Sequence, residues 1–139
     1  MILTFKSNNQ EEGFYALMGP YFASLTVAKE LERQVYNKPD TDWYVFAHPN
    51  KNKRRAPLLV SGFVSVHDTG KQYFIDNLYV IPDMRNCNIA TELVEFVVDS
   101  YTDKPITCIA NHPAALKIFN RFGFEEAGQR GKYKKLIKH

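Results

Sequence analysis

The sequence predicts an α/β (α+β) fold with a mixed central sheet of about seven strands flanked by about four helices. Three observations carry this. Short runs rich in Val, Ile, Phe and Tyr recur between turn-forming clusters, the pattern of strands in a sheet. Elsewhere apolar residues fall every three or four positions, which places them on one face of a helix. Finally, the strand-like stretches Phe74–Val80 and Ile106–Ala110 are separated by a helix of crossover length, so the two strands lie parallel. The chain has 139 residues, the size of one domain, and 45% of them are hydrophobic, enough to fill a core.

Taken in order, Ile2 to Lys6 alternates apolar and polar and is a first strand. Gln10 to Met18 is a short helix stopped by Gly19-Pro20. From Tyr21, the residues Phe22, Leu25, Ala28, Leu31 and Val35 mark one face of a second helix, closed by Asn37-Lys38-Pro39-Asp40. Trp43 to Ala47 is a strand. His48 to Ala56 is a polar turn carrying Lys51, Lys53, Arg54 and Arg55, which reads as a solvated loop or as a contact for a cofactor's adenine-side phosphate or an acidic partner. Pro57–His67 and Lys71–Val80 form a strand pair around the turn Asp68-Thr69-Gly70. Asn88 to Tyr101 is a helix with Ile89, Leu93, Phe96, Val97 and Tyr101 on its buried face. Ile106–Ala110 is a strand and Pro113–Phe122 the last helix, with Pro113 in its first turn and Gly123 ending it in the left-handed conformation. Phe124–Ala127 and Lys132–Ile137 close the chain as an antiparallel pair turned near Gly128–Gly131.

The stretch Phe74 to Ala90 organises the rest. Phe74, Ile75, Leu78, Tyr79 and Val80 suit a covered strand; Pro82 stops it, and Arg85–Ala90 lead into a helix. Unpaired N–H groups and a partial positive charge at a helix N-terminus hold anions such as a pyrophosphate.

Here the chain resembles the GNAT superfamily of N-acyltransferases. The family's acyl-CoA motif, Gln/Arg-x-x-Gly-x-Gly/Ala, is similar to Arg85-Asn86-Cys87-Asn88-Ile89-Ala90, with Asn88 at the central Gly; Asn tolerates left-handed backbone better than other non-glycine residues. A later family motif, Asn-x-x-Ala-x-x-x-Tyr/Phe-x-x-x-Gly-Phe, resembles the segment containing Asn111, Ala114, Phe119, Gly123 and Phe124. The resemblance covers about Lys71 to the C-terminus and extends further back by element order alone. It implies a three-layer fold in which the two central parallel strands splay apart. It also implies acetyl-CoA as the acyl-donor cosubstrate, with no metal. Backbone groups of Leu78, Tyr79 and Val80 would pair with the pantetheine arm like an extra strand, Arg85, Asn86, Cys87, Asn88, Ile89 and Ala90 would receive the pyrophosphate, Asn111 would hydrogen-bond the arm, and Phe119 would also contact the cofactor. Two helices between the first and second strands would wall the acceptor site, making Tyr21, Phe22 and Tyr36 candidate contacts, against ordinary packing aromatics.

The chemistry requires a primary amine to lose a proton, attack a thioester and expel CoA. Positioning supplies much of the rate, and a backbone N–H on the carbonyl, by resemblance that of Val80, supplies more. Asp76 is the first candidate general base and His67 the second, each also readable as structural. The family's proton-donating Tyr is Phe119 here, which has no proton to give. Tyr79 or Tyr133 stands in, or the thiolate leaves unassisted. Cys87 reads as a small loop residue, since no paired His accompanies it in the sequence.

Composition excludes much else. No apolar run reaches the roughly 18 residues of a membrane span, and no signal-peptide pattern opens the chain. Cys87 and Cys108 have no metal-ligand spacing, which predicts a reducing, cytoplasmic location. The net charge of +3 suits an anionic ligand without demanding nucleic acid. The expected partners are acetyl-CoA and an amine on a small molecule, a peptide or protein, or a modified base, with a homodimer allowed. Two other readings stand beside this one: a silent CoA-binding or protein-interaction module, favoured by Asn88 and Phe119, and a nucleic-acid binder using Lys51–Arg55 and the Lys132–Lys138 stretch, which would bind with strong salt dependence.

Overall fold

A computed structural model of the chain describes residues 1–8, 10, 12–51 and 58–139. Lys53, Arg54 and Arg55 of the expected basic turn lie outside these; Lys51 is exposed. The strands are β1 (Ile2–Phe5), β2 (Thr41–Pro49), β3 (Leu58–Asp68), β4 (Tyr73–Val80), β5 (Ile106–Ala110), β6 (Glu125–Arg130) and β7 (Tyr133–Lys138). The helices are α1 (Glu12–Phe22), α2 (Leu25–Leu31), α3 (Ile89–Ser100) and α4 (Pro113–Arg121). The seven strands form one sheet in the order β1-β2-β3-β4-β5-β7-β6, and only β4 and β5 run parallel.

Each sheet face buries its own core, because strand side chains alternate between faces. On one face Tyr44, Val64, Val66 and Ile75 meet Ile89, Leu93, Val94 and Val97 of α3 and Phe119 of α4. On the other, Trp43, Val45, Val60, Phe63 and Tyr79 meet Phe14 and Met18 of α1 and Val27 of α2. The result is three layers, helices on both faces of a mixed sheet.

The second face departs most from expectation. Gly19-Pro20 does not stop α1, which continues through Pro20 to Phe22. Phe14 and Phe22 lie 5.9 Å apart and Phe22 sits edge-on to Trp43 at 5.4 Å, so packing carries the helix past two residues that disfavour it. The single helix expected from Tyr21 to Val35 is instead broken at Ser24, whose hydroxyl accepts from the Val27 N–H at 3.1 Å and caps α2. Glu32 ends α2 in the left-handed region at φ 61°. In the closing hairpin β6 reaches Arg130, so the turn is Gly131-Lys132, at the end of the expected Gly128–Gly131 stretch. Gly128 marks a bulge, where the register slips between Glu126 and Gly128.

One glycine fixes where α3 begins. A Cβ on Gly62 would lie 2.8 Å from the Tyr79 carbonyl oxygen and 3.1 Å from Ile89 Cγ2. Its absence lets Ile89, the first residue of α3, settle onto the end of the β3–β4 pair.

Candidate functional site

The parallel strands separate almost as soon as they meet. Tyr73 pairs with Ile106 and Phe74 with Thr107, and β4 then leaves β5, while β5 stays paired to β7 along its whole length. The cause lies on the opposite edge of β4. Ser65 faces Asp76 and Phe63 faces Tyr79, so Val64 alone stands against Asn77 and Leu78. Such a bulge bends the strand that carries it. Asn77 takes the extra residue's place at φ 54°. Its amide Nδ2 donates to Ser65 Oγ at 3.0 Å, its backbone N–H donates to Asp76 Oδ1 at 2.9 Å, and Ser65 Oγ donates to the Asp76 carbonyl at 3.0 Å. Buried polar side chains thus hold the bend in place. A wedge opens toward the C-terminal ends of both strands.

The wedge has an exposed backbone edge. The Ile81 N–H donates to Ser61 O on β3 at 2.9 Å. Backbone groups of successive residues point to opposite edges, so those of Val80 point into the wedge and those of Tyr79 toward β3. Arg85 bears this out: its Nε donates to the Val80 carbonyl at 3.0 Å. Of the trio expected at Leu78, Tyr79 and Val80, Tyr79 turns its backbone toward β3 and presents its side chain to Glu30 and Arg85.

Beyond the edge, a 3-10 turn at Pro82–Met84 leads through Arg85–Asn88 to α3. Asn86 and Asn88 both sit left-handed, at φ 67° and 62°. Asn88 therefore adopts the conformation that its place in the motif demands. It caps α3 through backbone alone: its carbonyl accepts from the Glu92 N–H at 3.0 Å and its side chain caps nothing. The first N–H groups of the helix have no acceptor within it and follow an exposed loop. Ile89 is buried and Ala90 half-buried, so they offer backbone only; Cys87 is exposed. Asn111 is exposed at the end of β5. Phe119 is buried among α3, α4 and Phe124, whose ring it meets edge-on at 5.1 Å.

Three side-chain clusters rim the α1–α2 side of the wedge. In the first, Glu30 of α2 pairs with Arg85, accepts from the Tyr79 hydroxyl at 3.1 Å, and Arg85 lies 5.6 Å above the Tyr79 ring. The Arg85 hydrogen bond holds the Glu30 carboxyl below the usual carboxylate range. Burial, then the Glu30 contact, pushes the Tyr79 phenol up, so it stays protonated at neutral pH. In the second, Asp76, only 5% exposed, pairs with Arg33 and with Lys38 at 3.6 Å. In the third, Glu32 accepts from Lys132 at 2.8 Å and from the Tyr133 hydroxyl. Through Glu30 and Glu32, α2 spans both banks of the wedge.

The remaining candidates are elsewhere. His67 Nδ1 is 3.1 Å from Thr41 Oγ1, on the edge of β3 away from the bulge. Tyr21 donates to the Val60 carbonyl at 3.3 Å and packs edge-on to Phe63, while Phe22 belongs to the aromatic core. Tyr36 is exposed beneath the Lys38 ammonium. Sequence reasoning did not find Glu30, Glu32, Arg33 or Lys38. Charges along α2 and in the following loop read as a solvated face, and nothing in their spacing links them to Asp76, Arg85 or Tyr133. Among the described residues, no group of three or more His, Cys, Asp or Glu side chains is placed to hold a metal, and no helix is long and apolar enough to cross a membrane.

Comparison with known proteins agrees with this geometry. Residues 22–139 match the family model described as acetyltransferase (GNAT) domain. Among solved structures, an acyl-CoA N-acyltransferase from Pseudomonas aeruginosa superimposes with a TM-score of 0.72 at 13% identity, covering 100% of this chain and 99% of that one. ElaA from Escherichia coli gives the same TM-score and coverage at 14% identity. A spermidine N-acetyltransferase from Vibrio cholerae, solved with CoA and spermine, gives 0.70 at 13% identity over 99% of this chain and 94% of that one. At such identities the likeness is one of fold. No curated protein sequence matches the chain.

Proposed function

We propose that this chain, which belongs to the GNAT acetyltransferase family and is an acyl-CoA-dependent N-acyltransferase, takes acetyl-CoA as donor and transfers the acetyl group directly to a primary amine within a ternary complex. One observation carries the reading: the wedge between β4 and β5, which leaves the Val80 edge without a partner strand beside a left-handed loop at the start of α3. A pantetheine arm fits along such an edge as an added strand, and the pyrophosphate fits the loop from Arg85 to Ala90. Asn111, across the wedge, offers its amide to the arm.

Arg85 then has two positions to fill. Its Nε lies on the Val80 carbonyl and its guanidinium on Glu30. Cofactor binding transfers it to the pyrophosphate and frees the Val80 edge. The Val80 N–H polarises the thioester carbonyl. Asp76 is the base: an incoming ammonium can replace Lys38, the more distant of its two cations at 3.6 Å, and pass its proton to the carboxylate. Tyr79, protonated at neutral pH, supplies the proton to the departing thiolate in the absence of a hydroxyl at Phe119.

The test is calorimetric titration of acetyl-CoA, desulfo-CoA and CoA into wild type and Arg85→Ala. Binding that weakens at least about fivefold in the variant supports the site. No binding to the wild type refutes the donor reading.

A further inference from the structure

A cavity of about 330 Å³ lies at the apex of the wedge, on the sheet face that carries α1 and α2 but beyond the helices. Its floor is Phe74 and Thr107, the last pair to join β4 to β5, continued by Ile109. Its far wall is made by Arg130 and Lys135, with the amides of Gln72 and Gln129 at the rim. Lys135 pairs across the sheet with Ile109, and Arg130 with Tyr133. Neither cation forms an ion pair among the described residues, whereas Lys132 and Lys134, their neighbours in the hairpin, are both paired, to Glu32 and Glu126. The Gln129 amide is turned to the Gly131 carbonyl at 3.0 Å. The cavity thus joins a largely apolar floor to two cations that no acid among the described residues pairs with.

The cavity also has a fixed relation to the reaction centre. Phe74 and Asp76 lie on the same strand two residues apart, roughly 7 Å. An acceptor with its amine at Asp76 therefore extends along Phe74 and Ile109 and brings its far end to Arg130 and Lys135. Resting on the acetyl-transfer reading above, we infer that the acceptor is a short aliphatic amine bearing an anionic group, a carboxylate or a phosphate, at its other end. A polyamine would carry a second cation into this wall; an uncharged amine would leave both cations unanswered. Acetylation removes the acceptor's positive charge at Asp76 and leaves the anion, and restoration of the Lys38 contact then favours release of the product.

The test uses acceptors matched in length. Wild-type protein and acetyl-CoA are assayed for thiol release with 4-aminobutyrate, 3-aminopropylphosphonate, butylamine and 1,4-diaminobutane. The first two are expected to exceed the last two in kcat/KM by about tenfold or more. In the double variant Arg130→Gln, Lys135→Gln this preference should fall to about threefold or less, through KM, with acetyl-CoA affinity by calorimetry unchanged. Arg130 lies on the edge strand β6 and Lys135 on its neighbour β7, and the affinity measurement reports that the variant is folded. If acetyl-CoA binds but the uncharged or dicationic amine is used as well as the anion-bearing pair, the inference fails and the acyltransferase reading stands. It fails equally if neither anion-bearing amine is acetylated, or if the double variant keeps the preference. Absence of acetyl-CoA binding overturns both readings together.

Discussion

The two banks of the wedge are built by different means. The donor bank, from β4 through the Arg85–Asn88 loop to α3, is shaped by backbone: a bulge at Asn77, left-handed residues at 86 and 88, and a glycine where α3 touches the sheet. The acceptor bank, from α2 and its following loop to the β6–β7 turn, is held by side-chain ion pairs, several of them half-exposed: Arg33 is 49% exposed, Glu32 43% and Lys132 61%. Exposed pairs contribute little to stability, typically below about 1 kcal/mol each. Backbone geometry is therefore expected to govern folding and cofactor binding, and the side-chain clusters to govern turnover and choice of acceptor.

The sharpest test of that division is Asp76→Asn. The amide keeps the volume and the hydrogen bonds of the bulge but gives up the charge and the basicity. Turnover is expected to fall at least about a hundredfold, while acetyl-CoA affinity moves by less than about twofold. A loss of turnover under about threefold would take the base role from Asp76. A matching loss of acetyl-CoA affinity would dissolve the division itself, because the charge would then be serving the donor bank.

Gly62→Val makes the reverse demand. Its side chain has no room against the Tyr79 carbonyl and Ile89, so either β3 or the start of α3 must move. A stability loss of about 1–3 kcal/mol in denaturant unfolding is expected, and acetyl-CoA binding should weaken with it because the loop rides on α3. At Asn88, where φ is 62°, Val is expected to cost about 1–2 kcal/mol, whereas Gly should hold or raise stability. If Asn88→Val were as stable as wild type, the left-handed cap would not be a constraint and the motif's central position would lose its physical meaning.

The same contrast explains what could be read from the sequence. The donor bank is contiguous: strand, proline, loop and helix follow one another within seventeen residues, and each announces itself by residue type. The succession of seven strands along the chain was legible for a similar reason, since turn clusters and crossover length are local signals. The acceptor bank joins residues far apart in the chain, Glu32 to Tyr133 across 101 positions and Glu30 to Arg85 across 55. No periodicity records such a pairing. The misread helices lie on the same side of the sheet. Pro20 and the Ser24 break were decided by Phe14, Phe22 and Trp43 packing together, a tertiary effect that overrode local propensity. The bulge at Asn77 was missed because a strand with one extra residue still alternates well enough to look regular.

Glu30 joins α2 to the arginine that opens the donor loop, and its replacement gives the smallest effect and the most informative one. Glu30→Gln removes the anion that holds Arg85 away from the loop and leaves a neutral partner for the Tyr79 hydroxyl. Arg85 is 46% exposed and Glu30 32%, so solvent weakens their attraction. The gain in acetyl-CoA affinity is accordingly expected to be about twofold to fivefold. The pH dependence gives the sign an independent check. Arg85 lowers the Glu30 carboxyl below its ordinary range, so the pair is fully formed above that range and is lost as pH falls through the lowered value. The variant's advantage should therefore be constant from about pH 8 to about pH 6 and narrow below it as the wild-type carboxyl protonates. An advantage that persisted undiminished to about pH 4 would point to altered packing of α2 and not to the ion pair. Weaker binding by the variant at every pH would mean that Glu30 holds Arg85 in its cofactor-binding position, and the two banks would then be one site with a shared arginine.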